Sequence, residues 1–112
     1  MTGTEKQIAW AEDIKANAIG NADSIIKSAL DKYHEYDEHP GFLTTAKAYK
    51  IMRAVLVCIF AAHDDAEYII NHRSVLLNYT STVDRWAELI RTNEKTAAQI
   101  AAQNGLKDYK EE

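Results

Sequence analysis

The chain has 112 residues, of which 46% are hydrophobic and 27% charged, with a single proline; this composition excludes a disordered chain and describes an ordinary globular one. Its formal charge of −4 argues against binding nucleic acid through phosphate neutralisation, which needs an excess of cations. A domain of this length buries roughly 65% of the surface its unfolded form exposes, so neither disulfide nor metal is needed to hold it.

The one cysteine, Cys58, cannot form an internal disulfide, and no charged and apolar leader precedes the first helical pattern, so a reducing bacterial cytosol is the expected compartment. The longest uncharged apolar run, Ala54 to Ala62, is less than half of the roughly 20 residues that span a bilayer. No membrane role is expected.

In chain order, residues 1–3 read as loose. Thr4 and Gln7 then form a capping box, in which each residue's side chain takes the other's backbone N–H. From there Ile8, Ala11, Ile14 and Ala18 form one stripe, bordered by Trp10 and Ile19. Gly20 and Asn21 interrupt it, which suggests a helix end and a new start, with one kinked helix as the alternative. Ala22, Ile25, Ile26, Ala29, Leu30 and Tyr33 carry the second stripe. An acidic end, Glu35 to Glu38, meets His39-Pro40-Gly41, the strongest turn signal in the chain.

The reversal predicts a hairpin into a central helix at about 45–63, capped by Thr44 or Thr45. Tyr49, Met52, Val55, Leu56, Ile59 and Phe60 recur at helical spacing, and Ala54, Val57, Cys58, Ala61 and Ala62 fill the flanks. A helix apolar on nearly every side is expected to be buried all round. The hairpin would bring Lys47, Lys50 and Arg53 near Glu35, Asp37 and Glu38, pairs contributing about 0 to 1 kcal/mol each. Asp64 is placed to cap a fourth helix that runs to about Tyr79. Val83, Trp86, Ala87 and Ile90 open a last helix, which the Ala-rich segment from Thr96 prolongs to a stop at Gly105. Residues from about 107 to 112 read as loose. The fold expected is all-α: one domain, a bundle of about five helices around the buried central one.

Two stretches carry a resemblance. Thr2-Gly3-Thr4-Glu5-Lys6-Gln7-Ile8-Ala9-Trp10-Ala11-Glu12-Asp13-Ile14 is similar to the opening segment of a group of small, largely uncharacterised proteins and domains of bacteria and their phages. Those proteins often carry a later helix with an Ala, two aromatics, Ile and a closing Asn-Arg. Ala66-Glu67-Tyr68-Ile69-Ile70-Asn71-His72-Arg73 resembles that segment, with Ile69 replacing the second aromatic, Asn71 an acid and His72 the Asn. The resemblance implies a phage or mobile-element setting and assigns no activity and no site residue.

Three constellations could carry chemistry. His63-Asp64 after an apolar helix resembles the His-Asp doublet of all-helical HD phosphohydrolases, which hold a divalent metal through an earlier His, the doublet and a later Asp. His34 or His39 would be the earlier ligand and Asp84 the later one, with metal-activated water attacking a phosphate ester. Asp64 is already accounted for as a helix cap, however, and the chain is shorter than such enzymes usually are. In His34-Glu35-Tyr36-Asp37-Glu38-His39 the second His falls one position beyond the i+4 spacing a zincin needs, and a solvated helix end explains the letters better. Thr96 to Leu106 resembles the first helix and turn of a helix-turn-helix, yet only six residues follow, too few and too acidic for a recognition helix.

The remaining candidate is a surface. Tyr68, His72, Val75 and Tyr79 line up on one side of the predicted fourth helix, and Tyr is enriched at protein interfaces; burial of this side within the chain's own fold is the competing account. Trp10 and Trp86, beside apolar stripes, read as core. The sequence thus points to a non-enzymatic protein-binding accessory protein of phage or mobile-element type, without cofactor or resident metal, whose partner is a host or phage protein. An inhibitor of a bacterial defence system, such as an anti-CRISPR protein, is the sharper form of that expectation. The alternatives are a small HD-like metal-dependent phosphohydrolase using His39, His63, Asp64 and Asp84, and a self-assembling helical protein.

Overall fold

The Thr4 hydroxyl accepts from the Gln7 N–H at 3.1 Å and Gln7 Oε1 accepts from the Thr4 N–H at 3.0 Å. From this reciprocal cap runs α1, Glu5–Glu35, in a computed structural model that describes residues 1–36 and 40–106 and the backbone alone of Pro40. The helix continues through Gly20, so of the two readings there, a break or one helix, the single helix is the one found. The reason is tertiary: Ala11, Ile14, Ala18, Ala22 and Ala29 are all buried, so one inward stripe continues across the glycine and outweighs its roughly 1 kcal/mol disadvantage against alanine.

The second helix, α2, spans Pro40–Ala62 and so begins about five residues earlier than expected. Proline is favoured in the first turn of a helix, where its missing N–H costs nothing. Thr44 and Thr45 are therefore not caps; their hydroxyls donate back to the Gly41 carbonyl at 2.9 and 3.0 Å. The rings of Tyr36 and Phe42 stack at 5.7 Å across the reversal. Of the expected cations, Arg53 meets α1 at Asp23, to which its Nε donates; Asp37 and Glu38, at the acidic end, lie outside the described residues.

Four shorter helices complete the chain: α3 (Ala66–Asn71), α4 (Arg73–Leu77), α5 (Thr80–Arg91) and α6 (Ala97–Gln103). The fold is all-α, with six helices among the described residues in place of about five. The expected fourth helix is split at His72, where His72 Nδ1 lies 2.7 Å from the Tyr68 carbonyl and Arg73 Nη1 donates to the Ile70 carbonyl at 2.6 Å. The Tyr68 carbonyl keeps its bond from the His72 N–H at 3.0 Å and shares it with the ring, while the Arg73 guanidinium takes up the Ile70 carbonyl. The expected last helix is also split. Asn93 adopts φ 62°, Glu94 N–H returns to the Leu89 carbonyl at 3.0 Å, and Thr96 opens α6 with its own capping box to Gln99. Gly105, at φ 84°, ends α6 as expected, with Leu106 N–H returning to the Ala101 carbonyl.

Residues 1–3 are tied down rather than loose. Thr2 N–H donates to the Asp64 carbonyl, Ala66 N–H donates to the Thr2 carbonyl, and the Met1 nitrogen lies 3.2 Å from Asp64 Oδ2. The α3 cap is Asp65, accepting from Glu67 N–H at 3.1 Å, in place of the expected Asp64.

The main core lies between α1 and α2, closed by α3, α4 and the start of α5. A smaller cluster joins Ile51 to Ala97, Ile100 and Ala101 of α6, and Trp86 touches both. The central helix is buried along Ala46, Ala48, Tyr49, Ile51, Met52, Leu56 and Phe60. It is not buried all round: Val57, Cys58, Ala61 and Ala62 are exposed, because α1 flanks one side of α2 and α5 and α6 the other. No described helix is long and apolar enough to cross a membrane.

Candidate functional site

The end of α2 and the α3–α4 pair bring three rings into one stack. His63, held at the helix end by its N–H to the Ile59 carbonyl, lies 3.8 Å from Tyr68 with the planes 6° apart. Tyr68 in turn lies 4.0 Å from His72 at 25°. Tyr68 is half-buried between two exposed imidazoles. With the His72 proton on Nδ1, that atom donates to the Tyr68 carbonyl and Nε2 remains an acceptor.

One turn on, Val75 is 71% exposed and forms the rim of an open groove of about 250 Å³. Met52, Val55, Leu56 and Ile59 of α2 make its floor, Leu76, Tyr79 and Trp86 its far wall, and Asn78, Thr82 and Asn104 its polar edge. No charged side chain lines it. Its volume falls below the roughly 300 to 1,000 Å³ typical of small-molecule sites and suits an inserted apolar side chain. The groove residues on α2 were read from the sequence as core alone. Its only sequence signal is that the apolar residues of α2 exceed what one inward stripe can use.

Of the four residues proposed as a binding strip, Tyr68, His72 and Val75 remain at or near the surface, whereas Tyr79 is buried. Its hydroxyl donates to the Ala18 carbonyl at 3.1 Å. The four-residue alignment requires an unbroken helix from 66 to 79, and the breaks at His72 and after Leu77 turn Tyr79 inward instead. Trp10, expected in the core, is 48% exposed and carries the Arg73 guanidinium 5.0 Å above its ring.

The metal-ligand set of the phosphohydrolase alternative is not brought together. Asp84 lines a polar hollow with Gly41, Thr44 and Thr45 near the start of α2, while His63 follows its end. At 1.5 Å per residue, Thr44 and His63 are about 28 Å apart. Asp64 lies against the Met1 nitrogen, His39 lies outside the described residues, and no group of three or more His, Cys, Asp or Glu side chains gathers among those described. Neither known protein families, curated protein sequences nor solved structures give a match to this chain.

Proposed function

We propose that the chain is a non-catalytic, protein-binding accessory protein of phage or mobile-element type, acting in the bacterial cytoplasm, whose groove beside Val75 takes an apolar side chain of a host or phage protein. The observation that carries this reading is the open, uncharged groove with a largely exposed valine at its rim; such a recess beside an apolar edge is what a protein partner's anchor residue fills. The Thr2–Ile14 and Ala66–Arg73 resemblance supports the phage setting. The sharper form, inhibition of a bacterial defence system in the manner of an anti-CRISPR protein, draws on the small size, the charge of −4 and a surface offering shape rather than catalytic chemistry.

Two experiments test it in sequence. Tagged protein is used to capture partners from host lysate, with Val75→Asp as the control, since a carboxylate at the rim places an unpaired charge against an apolar anchor. One host protein enriched by wild type and lost with Val75→Asp supports the binding reading, and equal capture by both removes the groove from it. Expression in hosts bearing an active defence system should then restore phage growth. Failure to do so across such hosts discards the inhibitor form and leaves the binding reading to the first experiment.

A further inference from the structure

Where α4 meets α1, the Arg73 guanidinium carbon lies 5.0 Å above the ring of Trp10, and Arg73 Nη1 donates to the Ile70 carbonyl at 2.6 Å. The stack and the bond hold the planar group at two points, yet both residues are at the surface: Arg73 is exposed and Trp10 is 48% exposed. Among the described residues no carboxylate lies within ion-pair distance of Arg73, whereas Arg53 has Asp23 and Arg91 has Glu88. The bond to Ile70 uses one N–H of the fork and leaves the rest of its five donors without a carboxylate. Arg85 is exposed too and has no carboxylate among the described residues, but neither a ring nor a carbonyl among them holds it. An arginine of that kind loses rotamer freedom when it binds; Arg73 has its fork fixed by the fold.

We propose that Trp10 and Arg73 bind a carboxylate carried by a protein partner: an Asp or Glu side chain whose oxygens accept from the fork and whose carbon stem lies on the uncovered part of the indole. A carboxylate is the acceptor that matches the fork's paired N–H groups. The charges nearby favour a single negative charge. One turn before and after Trp10 on α1 stand Lys6 and Asp13, both exposed, and they offset each other, so Arg73 supplies the net positive charge of the site. That complements one carboxylate and falls short of the near-dianion of a phosphate group. Tryptophan and arginine are also the residue types whose truncation costs protein contacts most. The inference does not rest on the groove reading, because the groove is built on α2 with Val75 at its rim, whereas Arg73 lies against α1.

The probe is the acetylated and amidated tripeptide Leu-Glu-Leu, titrated into the nitrogen-15-labelled full chain beside Leu-Gln-Leu and Leu-phosphoserine-Leu, with the arginine Nε–H and tryptophan indole N–H resonances followed by NMR. Leu-Glu-Leu should move the Arg73 and Trp10 signals together and saturate them with a Kd of roughly 1 mM, the scale of a single anchored contact. The signals of Arg85 and Trp86 should stay in place. Arg73→Lys keeps the charge and loses the fork, and should weaken binding roughly tenfold. Trp10→Leu should weaken it roughly threefold, as expected for an exposed cation–π brace, with circular dichroism confirming that both variants stay helical. Leu-Gln-Leu moving the same signals as strongly overturns the proposal, as does Arg85 responding as much as Arg73. Arg73→Lys or Trp10→Leu binding like wild type removes the fork or the indole from the site. Tighter binding of the phosphoserine peptide overturns the assignment to a carboxylate.

Discussion

Tyr79 joins three helices through one side chain: its ring lies 6.2 Å from Tyr49 of α2 in an edge arrangement, and its hydroxyl reaches the Ala18 carbonyl of α1. Tyr79→Phe keeps the ring and removes the bond, so a loss of about 1 kcal/mol is expected in urea unfolding. Tyr79→Ala also removes the ring and should lose about 3 to 5 kcal/mol. It is for this reason a poor probe of partner binding, whereas Tyr68→Ala, at a half-buried ring between two exposed imidazoles, leaves the core in place. Both tyrosines also set an alkaline limit. Burial, first of all, pushes each phenol above the ordinary value of 10.0; for Tyr49 the Asp84 carboxylate adds to it against an opposing bond with Thr80, and for Tyr79 the neighbouring Tyr49 and Asp23 add to it. A raised acid holds its proton more tightly in the folded chain than in the unfolded one. Its contribution is complete below pH 10 and declines as pH rises through the folded-state values. Unfolding followed by ellipticity between pH 9 and about 12 should show this decline, and Tyr49→Phe/Tyr79→Phe should flatten it.

The longest element makes its prediction at its one weak position. A Cβ built on Gly20 meets nothing within 4 Å, and the residue is helical, so Gly20→Ala should stabilise the protein by about 0.5 to 1 kcal/mol through helix propensity, measurable as a higher denaturant midpoint at unchanged slope. The same position shows what was legible locally and what was not. Thr4 with Gln7, and Gly105, were readable because a cap or a left-handed stop is decided by a few adjacent residues. At Gly20 a break and one helix were both open locally, because the contacts with α2 that hold α1 together lie in no local window. The division of residues 66–79 was hidden for a related reason: His72 and Arg73 bond carbonyls with their side chains, and nothing in the periodicity announces it. At Asn93 the stop is an asparagine in the left-handed role usually given to glycine, so the Ala-rich tail read as a continuation. Asp64 is the cap the local sequence suggests, but the N-terminal segment engages it and Asp65 caps α3 in its place.

At the scale of the whole molecule, the all-α class followed from periodicity alone, while the candidate site did not, because a surface is what remains after the helices have chosen their neighbours. Tyr68, His72 and Val75 stayed outward and Tyr79 did not; the groove was invisible because Met52, Val55 and Ile59 obey the same spacing whether or not a helix covers them. The exposure of Val57 arises likewise, from α1, α5 and α6 leaving one side of α2 open. At the groove, Val75 is 71% exposed, so Val75→Asp should leave stability in denaturant unfolding within about 0.5 kcal/mol of wild type while removing capture of a partner. A larger loss of stability would make the rim part of the fold and take from the groove its standing as a free surface.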